Sequence, residues 1–228
     1  MTNPSTTRLF LVRHGATQLS AEDRFAGAID PELSPEGVFQ AQRLAERLSN
    51  DAIRAVYCSP MVRTVQTATI LATPHGLTPI QRDGLREIGH GHWEGMRRSE
   101  VEAQFSEEYA AWDEDPFTFA PQGGEAGVNV IARALPVIRE IVLQHPGQNV
   151  VVVSHKATIR LLISSLLGFD VRGYRDRLDQ SPACLNALDF KDPVRARLML
   201  FNDVSHYEDY PQRSREQLSK WWDTPGQE

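Results

Sequence analysis

His14 and His155 each stand just past the end of an apolar, β-branched run, in Leu-Val-Arg-His-Gly-Ala-Thr at 11–17 and Val-Val-Val-Ser-His-Lys-Ala-Thr-Ile-Arg at 151–160. Open α/β sheets bind ligands in the crevice outside the carboxyl ends of their strands. An imidazole nitrogen attacks phosphorus only when unprotonated. Arg13 beside the first histidine opposes imidazolium formation and offers a planar fork to phosphate oxygens. Gly15 is expected to let the backbone come close to an anion. The second histidine opens a helix, and helix N-termini present free N–H groups and positive potential. The pair therefore points to a phosphate site in which one histidine takes the phosphoryl group and the other stabilises it.

Two further segments add to this. Ser59-Pro60 follows an apolar run and opens a helix with Arg63 in its first turn. A cation there opposes the macrodipole, which a nearby anion would offset. Leu85-Arg-Glu-Ile-Gly-His-Gly-His-Trp-Glu-Gly carries two candidate proton donors for a leaving oxygen, Glu87 and Glu94. A partly desolvated carboxylic acid can do this work. His90 and His92 alternate as metal ligands might, but no Cys or carboxylate spacing completes a site. Trp93 reads as a packing residue. Taken singly, each motif also fits a hydrogen-bonded core histidine or a solvated arginine; it is their combination that selects phosphate chemistry.

The elements that must deliver these residues follow from pattern. Arg8 to Arg13, Ala52 to Cys58, Thr78 to Gln81, Asn149 to Val153, Leu185 to Phe190 and Arg197 to Phe201 read as strands. Four valines in a row at 150–153 match a buried parallel strand. Ser34 caps a helix that begins at Pro35 and carries Val38, Ala41, Leu44, Ala45 and Leu48 at helical spacing. Further helices are expected over Met61 to Ala72, Ser99 to Phe105, Glu107 to Trp112, Glu125 to Gln144 and Ala157 to Leu167, with Pro136 kinking or breaking the fourth of these. The order argues for a three-layer α/β/α sandwich around a mostly parallel sheet with an edge antiparallel strand. One domain over 1–228 is expected, with 85–124 as an insertion roofing the pocket and 202–228 as a polar C-terminal tail, in which Trp221-Trp222 docks on the body or a partner subunit.

The net charge of −6 without blocks of like charge lacks the footprint of nucleic-acid binding. No segment reaches the ~20 apolar residues of a membrane span, and the N-terminus lacks an apolar signal core. Cys58 and Cys184 give neither a disulfide framework nor metal spacing, which suits reduced core residues in a cytoplasmic protein. A homodimer through a sheet edge or the tail is a further expectation.

Together these segments resemble the histidine phosphatase superfamily, the phosphoglycerate-mutase-like clan. Arg13-His14-Gly15 with Thr17, Arg24-Phe25-Ala26-Gly27, Leu33-Ser34-Pro35-Glu36-Gly37, Ser59-Pro60 through Arg63 to Gln66-Thr67-Ala68, Gly123-Gly124-Glu125 and Ser154-His155 carry the likeness in order. The resemblance implies a metal-independent phosphohistidine mechanism without cofactor, acting on a small phosphomonoester. It makes His14 the nucleophile and completes the phosphate pocket with Arg13, Arg63 and His155, the last protonated to hold charge developing on the phosphoryl group. Glu87 falls at the proton donor of the clan's first branch. Where the acid-phosphatase branch keeps an aspartate after the second histidine, this chain has Lys156.

Ala16 and Ser20 replace the glutamate and asparagine frequent in the signature, leaving Thr17 and Ser20 as phosphate contacts. Lys156 replaces a usual glycine and either reads a second anionic group or faces solvent. Arg86, Arg97 and Arg98 are other cations for a substrate carboxylate. Phosphoserine, a phosphoglycerate derivative and a sugar phosphate remain open as substrates. The alternatives to a phosphatase are mutase-type phosphoryl transfer and a non-catalytic phosphate-binding regulator.

Overall fold

In the computed structural model, which describes residues 6–21 and 24–208, the valine run lies in the middle of a six-stranded sheet. The strands are β1 (Thr7–Arg13), β2 (Ile53–Cys58), β3 (Ile80–Gln81), β4 (Asn149–Ser154), β5 (Leu185–Phe190) and β6 (Ala196–Asp203), in the order β3-β2-β4-β1-β5-β6. The first four are mutually parallel; β5 runs against β1, and β6 runs against β5 at the edge. The antiparallel strand is therefore one place in from the edge.

Alternation along the central strands makes two cores. Leu9, Leu11, Val150 and Val152 face α6 (Gly127–Gln144) and α7 (Lys156–Leu167). Phe10, Val12, Val151 and Val153 face α2 (Pro35–Leu48) and α3 (Val62–Ala72). Both faces are covered, which is why the β4 valines need no polar alternation. Ser34 caps α2 as its sequence suggests, accepting from the Gly37 N–H at 3.2 Å. The helix α6 begins two residues later than expected and runs through Pro136 without a break.

Shorter α-helices among the described residues are α1 (Gln18–Ala21), α4 (Arg98–Gln104), α5 (Ser106–Glu114) and α8 (Tyr174–Arg177). The 85–124 stretch builds its own apolar cluster, with Trp93, Val101, Tyr109 and Trp112 packed on Phe25. Trp93 is fully buried there, as a packing residue should be. The start of the expected tail is part of the body: Asn202 and Asp203 end β6, Val204 is buried and the Tyr207 hydroxyl donates to Pro182 O at 2.6 Å. Trp221 and Trp222 lie outside the described residues.

Candidate active site

Arg13 pairs with Ser154 in register, and the His14 N–H still donates to Ser154 O at 3.1 Å. The two histidines thus leave neighbouring parallel strands at one level, with ring centroids 5.3 Å apart and planes at 60°. The His14 Nδ1 lies 2.7 Å from Gly15 O. A carbonyl oxygen only accepts, so Nδ1 carries the proton and Nε2 keeps its lone pair. Burial, then Arg13 and Arg63, hold this imidazole well below the usual histidine value. His14 is therefore a neutral ring with a fixed tautomer, lining a cleft.

The Gly15 backbone serves packing rather than an anion. Its N–H donates to Thr67 Oγ1 at 3.1 Å, and a Cβ there would fall 2.4 Å from Gly37 O at the start of α2. The glycine is needed because strand end and helix start touch backbone to backbone.

His155 is the N-cap residue of α7, fully buried, with Nε2 2.9 Å from Ser59 Oγ. Its Nδ1 is buried without a hydrogen-bond partner. Burial, then Arg63 and His14, push its pKa well below the usual value, so the protein alone does not hold the expected imidazolium. The α7 N-terminus differs from expectation too. The Ala157 and Thr158 N–H groups both donate to the Glu87 carboxylate at 3.1 Å, and Thr158 Oγ1 lies 3.1 Å from it. The helix end is thus occupied by a side chain of the protein itself.

Glu87 lines the cleft with His14, and Glu94 does not. Glu94 instead accepts from the N–H groups of Gly27, Ala28, Ile29 and His90 at 2.9–3.3 Å, stitching two loops together. The backbone under Glu87 is fixed by Arg133, which donates to the carbonyls of Gly84, Arg86 and Glu87. Glu125 grips Arg133 with both carboxylate oxygens, at 2.7 and 2.8 Å. This positioning pair escaped the sequence analysis; the Gly123-Gly124-Glu125 motif was its one visible trace.

Arg13 and Arg63 line the cleft and are 8% and 2% exposed. Arg13 Nη1 donates to Gln180 O at 2.7 Å, and its Nε is buried without a partner. Arg63 donates to the carbonyls of Ala26, Gly27 and Ile29 and approaches Asp30 at 3.3 Å. Those acceptors by themselves account for a cation in the first turn of α3. Thr17 and Ser20 also line the cleft. Ser20 Oγ donates to Thr17 O at 2.8 Å while accepting from the Thr17 N–H at 2.9 Å, so this hydroxyl already closes a turn.

Lys156 lines the cleft, 3.5 Å from Asp179. Arg24, Arg160 and Arg175 join it, whereas Arg86, Arg97 and Arg98 are absent from the lining. Arg175 lies over the Trp112 ring at 3.8 Å and approaches Asp113 at 3.2 Å. Neither Arg160 nor Arg175 was singled out from the sequence; the four-residue spacing from Lys156 was the one signal that could have found Arg160. His90 lines the cleft and stacks edge-on with Phe25 at 4.8 Å, while His92 turns to Glu108 at 3.1 Å. Among the described residues no group of three or more His, Cys, Asp or Glu could hold a metal ion.

A sequence model of the histidine phosphatase superfamily (branch 1) matches residues 9–204. This chain belongs to that family. Curated relatives include phosphoserine phosphatase 1 of Hydrogenobacter thermophilus, 38% identical over 164 residues, covering 72% of this chain and 78% of the relative. The glucosyl-3-phosphoglycerate phosphatase of Mycolicibacterium vanbaalenii is 36% identical, covering 72% and 76%. Among solved structures, Bacillus stearothermophilus YhfR superposes with a TM-score of 0.83 at 29% identity, covering 89% of this chain and all of that one. A mycobacterial glucosyl-3-phosphoglycerate phosphatase gives 0.78 at 31% identity, covering 86% and 99%. The histidine phosphatase fold and its small-phosphoester chemistry are those of this chain's relatives.

Proposed function

We propose that this member of the family is a metal-independent phosphomonoesterase working through a phosphohistidine on His14. One observation carries the reading: a neutral His14, its Nδ1 proton committed to Gly15 O, lines one cleft with Arg13, Arg63 and Glu87. In the first step Nε2 attacks phosphorus and the bond from phosphorus to the leaving oxygen breaks. Glu87, as the general acid, gives its proton to that oxygen. Arg13 and Arg63 take phosphoryl oxygens. The same negative charge opposes the burial and the arginines that keep His155 neutral, so His155 takes up a proton with the substrate and meets an oxygen through Nδ1. In the second step water attacks the phosphohistidine, its proton passes to the Glu87 carboxylate, and inorganic phosphate leaves.

The relatives' names suggest a small phosphorylated metabolite: phosphoserine, a phosphoglycerate derivative, or a sugar phosphate. A cytoplasmic setting suits Cys58 and Cys184, both buried and free. The test is phosphate release from a panel of phosphomonoesters in the presence of a strong chelator, with wild type beside His14→Ala. Release by wild type alone, with acid-labile phosphate on His14, is the expected result. Release that needs added metal, or survives loss of His14, would refute the mechanism.

A further inference from the structure

Lys156 and Arg160 stand four residues apart on α7, one above the other on a single face, and both line the cleft. Like charges at this spacing repel, and the positive end of the helix adds to the cost. Their shared counter-charge is Asp179, whose Oδ1 lies 2.9 Å from Arg160 Nη2 and 3.5 Å from Lys156 Nζ. Burial pushes that carboxyl up, yet Lys156 and Arg160 together bring it below the usual range, so it remains an anion.

Both cations reach the same carboxylate oxygen. Arg160 is only 6% exposed, and its Nε is buried without a hydrogen-bond partner. An unmet donor of that kind is costly. The helix end does not supply the receptor, because Glu87 already takes the Ala157 and Thr158 N–H groups. The cluster also abuts the phosphate cradle: Gln180, next to Asp179, holds Arg13 through its carbonyl.

We propose that Lys156 and Arg160 form a second-anion subsite for a carboxylate on the leaving group. The preferred substrates are then phosphomonoesters of hydroxy acids rather than of neutral sugars or alcohols. The planar guanidinium of Arg160, with its Nε unmet, suits a carboxylate. This inference rests on the phosphatase reading of the same site.

The test compares kcat/KM on O-phosphoserine and 3-phosphoglycerate with their neutral carboxamide analogues, using p-nitrophenyl phosphate as a reference. Wild type should prefer at least one acid over its amide by about ten- to a hundredfold, the range for a charge-assisted contact. Arg160→Gln and Lys156→Gln should each collapse that ratio, and Arg160→Lys should retain much of it. Should Arg160→Gln fail to fold, the partly exposed Lys156 carries the comparison. Hydrolysis of p-nitrophenyl phosphate with no acid-over-amide preference, or a preference unchanged in the folded variants, overturns the subsite alone. No hydrolysis of any compound overturns the phosphatase reading, and the subsite with it.

Discussion

On the floor side of the cleft, His14, which lines it, and His155, buried behind the lining, leave two strands whose backbones are paired residue by residue from Arg8 with Asn149 to Arg13 with Ser154. On its wall, Arg160 and Arg175 come from α7 and α8 and are held by side-chain pairs with Asp179 and Asp113. A ladder of backbone hydrogen bonds fixes the floor whatever the neighbouring side chains are. The wall depends on particular charges meeting across long stretches of sequence. Under the proposed mechanism the sheet places the two histidines, and ion pairs place the cations assigned to substrate choice.

If the floor does the chemistry, its substitutions act on turnover rather than on substrate choice. His14→Ala should lower kcat by about four orders of magnitude or more, the scale seen when a covalent nucleophile is lost, while circular dichroism and the melting transition stay native-like. Near-normal turnover would break the comparison at its base. Next in size, Glu87→Gln should slow phosphoenzyme formation by about 10²–10⁴-fold, most for poor leaving groups. Glu94→Gln, by contrast, loosens the Gly27–Ile29 loop and should chiefly lower stability, by about 1–3 kcal/mol. Inactive Glu94→Gln beside normal Glu87→Gln, in rapid-quench measurements, would exchange the two roles.

A smaller effect tests the packing under the floor. In Gly37→Ala the new Cβ would lie 2.1 Å from Ala16 O, a backbone atom that cannot swing away. We expect a loss of about 1–3 kcal/mol, read as a lower melting temperature, together with reduced kcat because the 14–16 segment moves with it. An unchanged melt would show that this contact is not tight.

A separate expectation concerns pH. His14 and His155 have pKa values well below the usual one, and burial, then Arg47, brings His206 down to about 4. The unfolded chain takes up these protons near pH ~6.5 while the folded chain resists them. Stability should therefore fall as pH drops below about 6.5, through the window that closes at each histidine's lower folded value. Inorganic phosphate, whose charge favours protonated His155, should offset part of the loss. Melting temperatures at pH 7, 6 and 5 with and without phosphate check both statements; a rise on acidification would contradict them.

Much of the floor could be read from the chain because its signals are local. Apolar runs ending in Arg13-His14 and Ser154-His155, and the Ser59-Pro60 turn leading to Arg63, each specify a strand end or helix start within a few residues. The Ser34 cap was equally readable, since the cap and the N–H it accepts are three residues apart. The wall was less readable. Arg86, Arg97 and Arg98 look as suitable for binding an anion as Arg160 and Arg175, because charge alone does not say which way a side chain points. Glu87 and Glu94 could not be told apart by chemistry; the α7 N-terminus claims one and the 27–29 loop claims the other.

By itself the sequence determined the layered α/β sandwich, the two strand-end histidines with their arginines, and membership of a phosphate-handling family, because hydrophobic periodicity and short motifs are written in consecutive residues. Only the tertiary structure decided the His14 tautomer, the neutral state of His155 within the protein's own field, the capture of the α7 N–H groups by Glu87 and the meeting of Lys156 and Arg160 at Asp179. Each of these depends on burial or on a hydrogen bond between atoms whose separation exists only once the chain is folded.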